Sequence, residues 1–318
     1  MSSDSQTKGA SLRQRRLSVS DSIINAVKVV EEKIEYGITL LWDEIPQWRR
    51  DNAFIRSGYR PIRPSYLASL RSLFYVHNEF VNIWSHLSGA IIAISTGAYL
   101  YWVIHPRYES ASSSDVFVFT CFLGSAVLCL GMSATFHALM DHSREVAAWG
   151  NKLDYTGIVA LIVGSYVPAL YYGFFCRPVL MTGYLYLICT LGIGCVIVSW
   201  VDKFRTSAWR PYRALMFVSL GVSGIIPVCH GILVDGYPVL EDRMSLSWVI
   251  LQGAMYIFGA FLYAVRWPER SFPGTFDIWG SSHQIFHMFV LLAAATHFYG
   301  MANAFDYHHT VMGSQCLW

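Results

Sequence analysis

Seven stretches of this chain are apolar and nearly free of charge, at about 83–104, 116–139, 153–173, 180–200, 214–234, 245–265 and 281–302. Each is long enough to cross a bilayer, which takes roughly 20 helical residues. Backbone polar groups in hydrocarbon must be satisfied internally, so only helices or a closed barrel can cross. Period-2 alternation is absent, which argues against the barrel. The composition agrees, with 54% hydrophobic and 14% charged residues, where a soluble domain carries about 25% charged. The connections are short, so the chain is expected to be an all-α integral membrane protein with one seven-transmembrane helix bundle over 83–304. A net charge of +2 offers no field for nucleic acid.

The flanks differ in character. Residues 1–20 read as a disordered basic tail, in which Arg13, Arg15 and Arg16 precede Ser18 and Ser20; this is either a phosphosite cluster or a solvated tail. Residues 21–82 form a juxtamembrane region. Within it Ile23, Val27, Val30, Ile34, Ile38 and Leu41 recur at helical spacing and predict an amphipathic helix, lying on the membrane or docked on the bundle. No long apolar run opens the chain, so no signal peptide is expected. Residues 305–318 are read as a short tail on the opposite side.

Lysine and arginine set the orientation. Of 23 such residues, all but Arg107, Arg177 and Arg243 fall on the side of the N-terminal region and alternate loops. Positive loops stay in the cytosol, which predicts a cytosolic N-terminus and an outside C-terminus, in the plasma membrane or an endomembrane. G-protein-coupled receptors run the other way. The last lysine is Lys203, so the seventh span has none to bind retinal.

Within the seven stretches Asp154 is the only Asp, Glu, Lys or Arg. Such groups cost ~2.5–3.5 kcal/mol at mid-bilayer and mark function by default. His137 ends the second stretch, while Asp154, His283 and His287 begin the third and seventh, so four titratable groups share one layer near the cytosolic edge. His283 and His287 stand at i, i+4 on one helix face, the spacing at which two imidazoles meet one zinc ion. His137 supplies a third nitrogen, leaving a fourth position open as in catalytic sites. Ser133 sits one turn before His137, placed to bond a water or substrate carbonyl. Asp154 could take a proton or orient an imidazole. A hydrogen-bonded cluster without metal is the competing reading.

The remaining histidines and the cysteines carry weaker signals. His86 is read as helix packing or a fourth ligand, and His230 and His297 as interhelical hydrogen bonders. Asp306, His308 and His309 in the outer tail resemble an adventitious metal patch. Cys176, Cys229 and Cys316 near the outer side include a disulfide or remain thiols.

These residues resemble the progestin and adiponectin receptor family (PAQR), the haemolysin-III superfamily. The resemblance runs from WDEIPQWRRDNAFIRSGYRP (42–61) through VHNEFVNIWSH (76–86), the Ser133 to His137 pair and LDYTGI (153–158) to HQIFH (283–287). Brevity, the short C-terminal tail and the basic N-terminus are most similar to fungal Izh-type members. The resemblance implies Zn2+ at His137, His283 and His287, with polar roles beside it for Asp154 and Ser133. Glu79, Asn82 and His86 fall in the family's first motif, where a structural role is expected.

Two function classes follow. One is a zinc-dependent lipid amidase (ceramidase-like), coupled to lipid and zinc homeostasis, with a membrane lipid such as a ceramide, fatty acid or sterol-related molecule as partner. The other is a non-catalytic receptor or sensor in metal or sterol homeostasis, with a structural zinc and an extracellular protein ligand docking near Tyr108, Tyr237 and Trp318. A channel or transporter is disfavoured, because one buried acid near one side makes no charged path across the bilayer.

Overall fold

The structure is a computed structural model that describes residues 39–104, 106, 108, 111–313 and 316. The tail over 1–20 and nearly all of the helix expected over 23–41 lie outside the described residues, as does Trp318. Seven helical segments are long and apolar enough to cross a membrane, and the described residues contain no strand beyond one isolated bridge, Leu40 to Tyr59. The protein is a multi-pass membrane protein.

A short helix α1 (Tyr66–Arg71) precedes the first span. That span is α2 (Phe80–Tyr99), extended by a π-helical turn over Leu100–Ile104. The second and third spans are α3 (Ser113–Leu139) and α4 (Arg144–Gly173), and the fourth is α5 (Pro178–Trp200). The fifth is broken into α6 (Arg210–Val222) and α7 (Ile225–Asp235). A short α8 (Tyr237–Met244) leads into the sixth span α9 (Leu246–Val265), and α10 (Ser282–Thr310) is the seventh.

Local chemistry sets these ends. Ser112 and Asp115 form a capping box at the start of α3, and Ser143 Oγ accepts from the Val146 amide to start α4. Such caps satisfy the free amides of a first turn. α4 therefore begins nine residues before the apolar stretch at 153, because its first turns are polar but well capped. The break in the fifth span follows from Ser223, Gly224 and Pro227. Proline lacks an amide, and carbonyls left free at such a break need other donors. Ser223 Oγ donates to the Leu220 carbonyl at 2.7 Å, and the Tyr166 hydroxyl donates to the Gly221 carbonyl at 2.6 Å.

α3 and α4 are the inner pair, with 44% and 50% of their apolar windows buried, against 11% for α2 and α5. Gly157 permits their close approach: a Cβ there would lie 2.8 Å from the Cys129 Cα. Small residues allow this packing where lipid gives helices no hydrophobic drive. α10 packs along α9, and α2 along α3. Ile91, Ile92 and Ile94 on α2, and Ile193 and Ile197 on α5, stay exposed, as lipid-facing residues do.

α10 runs six residues beyond the bundle edge expected at 304, so the tail over 305–318 is partly helical. Its end is polar, which hid it in the sequence, but its polar groups meet partners from the second span and the loop before it. His309 Nε2 lies 3.2 Å from Asp115 Oδ2, and Tyr108 donates to Asp306. Cys176 and Cys316 are disulfide-bonded at this end, and Cys229 is a free thiol.

Candidate metal centre

The site begins where α3 stops. Arg60, fully buried, donates to the carbonyls of His137 at 2.5 Å and Ala138 at 2.9 Å. A cation on the last carbonyls of a helix satisfies them and complements its dipole. The same guanidinium donates to Ser72 Oγ at 2.7 Å and lies 3.5 Å from Asp141. The backbone of His137 is thus held by a buried polar network.

The imidazole of His137 is held separately. Its Nδ1 lies 2.7 Å from Glu79 Oε2, and that oxygen also accepts from Asn82 Nδ2 at 2.6 Å. A carboxylate accepts only, so Nδ1 carries the proton and Nε2 keeps its lone pair. On α10, His287 Nδ1 faces the Asn82 carbonyl at 3.2 Å. Donation there leaves Nε2 of His287 as its free lone pair too. Burial alone would raise the pKa of the Glu79 carboxyl. The hydrogen bonds that His137 and Asn82 donate to it outweigh burial and hold the group well below the usual carboxylate range.

His283, one turn before His287, completes the set. One ring nitrogen from each of His137, His283 and His287 lies within 4.8 Å of the others, close enough to hold a metal ion. The rings meet edge-to-face, with His137 4.9 Å from His283 and 5.0 Å from His287. Nε2 of His137 is buried without a hydrogen-bond partner. A buried orphan of that kind calls for a ligand. Three imidazoles that converge within 4.8 Å, two of which (His137 and His287) turn their other nitrogens toward oxygen acceptors, are a donor set that fits zinc.

Asp154 on α4 and Ser133 on α3 are both buried and line one cavity with the three histidines, and Ser133 Oγ has no hydrogen-bond partner. His86 stacks flat on His287, with centroids 3.6 Å apart and planes at 2°; it stands outside the three-nitrogen group and packs. His230 bonds Tyr184 at 2.6 Å across α5 and α7. His297 departs from expectation: neither ring nitrogen has a well-formed hydrogen bond, and the ring packs on Phe122. Among the described residues no metal-holding group forms at Asp306, His308 and His309.

Glu79 and Asn82, expected to be structural, take that role at the ligands themselves, holding His137 and His287. Their spacing of three, ahead of an apolar run, was the available signal, since it puts both on one helix face.

A cavity of about 1150 Å³ adjoins the three histidines. It runs from Asp51 and Arg210 past Asp154 to Phe174 and Met244. Ile225 on α7 and Ile250 and Ile257 on α9 line it and are exposed.

Residues 74–298 match the family model described as Haemolysin-III related. The chain belongs to this family. The haemolysin-III-related chain is 44% identical over 297 residues to an adiponectin receptor protein of Drosophila melanogaster, covering 92% of this chain and 66% of that one. It is 43% identical over 288 residues to the ADIPOR-like receptor IZH2 of Saccharomyces cerevisiae, covering 91% of this chain and 90% of the yeast protein. A heptahelical transmembrane protein 1 of Arabidopsis thaliana is 35% identical, covering 80% of this chain and 77% of the relative. The chain therefore spans slightly under two thirds of the fly relative and most of the yeast one.

Proposed function

We propose that this protein is a zinc-dependent hydrolase of a lipid amide, with a ceramide-like molecule as substrate, its site near the cytosolic face. The observation that carries the reading is the meeting of three histidines, Asp154 and Ser133 beside one cavity of about 1150 Å³ with a largely apolar lining. Zinc held there would supply Lewis acidity and would acidify a water, bringing its pKa to about 7. The chain supplies the rest. His137, His283 and His287 hold the ion, and Glu79 and the Asn82 carbonyl fix the tautomers of His137 and His287. Asp154 takes a proton from attacking water and returns it to the leaving nitrogen. Ser133 donates to the oxygen on which charge develops. The amide C–N bond breaks, water adds across it, and a fatty acid and an amine leave. The acyl tail occupies the cavity.

A receptor reading also has support, since the fly and yeast relatives are named receptors. In that reading zinc staples α3 to α10, and a lipid or an extracellular protein ligand shifts the bundle. Three histidines without a fourth protein ligand favour reactivity, because structural zinc sites are usually closed by four.

The test is fatty-acid release from a ceramide by the purified wild type, before and after chelation and after zinc is restored. The proposal expects release that chelation abolishes and zinc restores. Release no faster than a blank, in protein shown to contain zinc, rejects a ceramide substrate and leaves the receptor reading.

A further inference from the structure

Ahead of the first span, α1 and the turn after it present a largely exposed apolar face, with Tyr66 stacked on His142 at 4.2 Å between ring centroids. Tyr66, Leu67, Leu70, Phe74 and Val76 are all at least half exposed, Phe74 at 84%. Tyr66 and Leu70 lie one turn apart on one face of α1, and Phe74 follows in the 3-10 turn over Ser72–Phe74. The opposite face is fixed to the bundle. Ser69 and Ser72 are fully buried, with Ser69 Oγ donating to Asp141 at 2.8 Å and Ser72 Oγ accepting from Arg60. The exposed face therefore cannot turn inward.

Its depth is set by a second contact. Trp84 Nε1 donates to the Leu73 carbonyl at 3.0 Å. Trp84 lies about one turn inside the membrane-spanning helix α2, so residue 73 sits beside that first turn. Large apolar side chains at this level, with Arg71 exposed among them, match the composition of an interfacial helix.

We propose that α1 and the following turn are an interfacial anchor, with Leu70 and Phe74 seated at the headgroup–acyl boundary of the bilayer. The level set by the Trp84 contact, one turn inside the first span, favours lipid over a second copy or another segment of the chain. The anchor reaches the metal centre through Arg60, which bonds both Ser72 and the carbonyl of His137.

The test uses the full chain in vesicles of phosphatidylcholine and phosphatidylserine. The exposed thiols Cys189 and Cys229 are replaced by Ala, and a nitroxide is placed singly through Leu70→Cys, Phe74→Cys or, as a water-exposed control, Asp43→Cys. Labels at 70 and 74 are expected to collide several-fold more with oxygen than with a water-soluble nickel chelate, and the control to show the reverse. Labels at 70 and 74 that behave like the control, or that are shielded from both reagents by protein, overturn the proposal. Unmodified protein gives an independent reading. A lipid with a diazirine near its headgroup should mark peptides spanning 66–76 along with the first span. Marking of the span alone also overturns it.

Discussion

Nδ1 of His137 and Oε2 of Glu79 lie 2.7 Å apart, joining the last turn of one span to the entrance of another. The carboxylate fixes the tautomer and raises the basicity of the nitrogen that remains. Loss of such outer partners typically lowers metal affinity 10–100-fold. Glu79→Ala is therefore expected to weaken zinc by about that factor, read by competition with a calibrated chelator, and Glu79→Gln by less. Unchanged affinity in Glu79→Ala would show that the contact does not support the ligand.

His77 gives a pH dependence. Burial, then the charge of Arg60, push its pKa down to about 3 from an ordinary 6.5. Its Nδ1 accepts from the Glu79 amide at 3.1 Å, which needs a neutral ring. The folded state resists protonation and the unfolded state does not, so this contribution is complete above about 6.5 and is lost as pH falls from there toward 3. The melting temperature in detergent should decline between pH 7 and 4, and less steeply in His77→Gln. Equal slopes would contradict the assignment.

Gly157 sets the spacing of α3 and α4. A Cβ there meets backbone, not a flexible side-chain end, so the helices must separate. Gly157→Ala is expected to destabilise by about 1–3 kcal/mol, and Gly157→Val to lower zinc content as well by displacing α3, and His137 with it, from the other two ligands. A thermal shift and metal analysis on the same samples check both.

The Cys176–Cys316 bond bears on orientation. Disulfides persist on the oxidising side of a membrane, and the lysine and arginine distribution puts the same end outside. A membrane-impermeant reductant applied to intact cells is expected to free Cys176 and Cys316 for alkylation. Protection of both until the cells are opened would reverse the proposed topology.

The bundle was legible in the sequence because seven apolar runs admit few alternatives, and the three histidines because depth sorts residues once spans and direction are set. Glu79 was not legible as a ligand support. A carboxylate one residue before a span reads as an ordinary water-facing end, and only packing of α2 against α3 turns it onto His137. The interruption at Ser223 and Gly224 was hidden because hydropathy stays high through it. The last turns of α10 were hidden for the opposite reason, since His308 and His309 look like a tail until Asp115 is seen beside them.

The most direct measurement compares wild type with Asp154→Asn, determining zinc and fatty-acid release from a ceramide on the same preparations. The account predicts about one zinc per chain in both, as expected for one three-histidine site, with release at least 100-fold slower in Asp154→Asn, in line with loss of a general base. Equal release by the two proteins, or a wild type that holds no zinc, would contradict it.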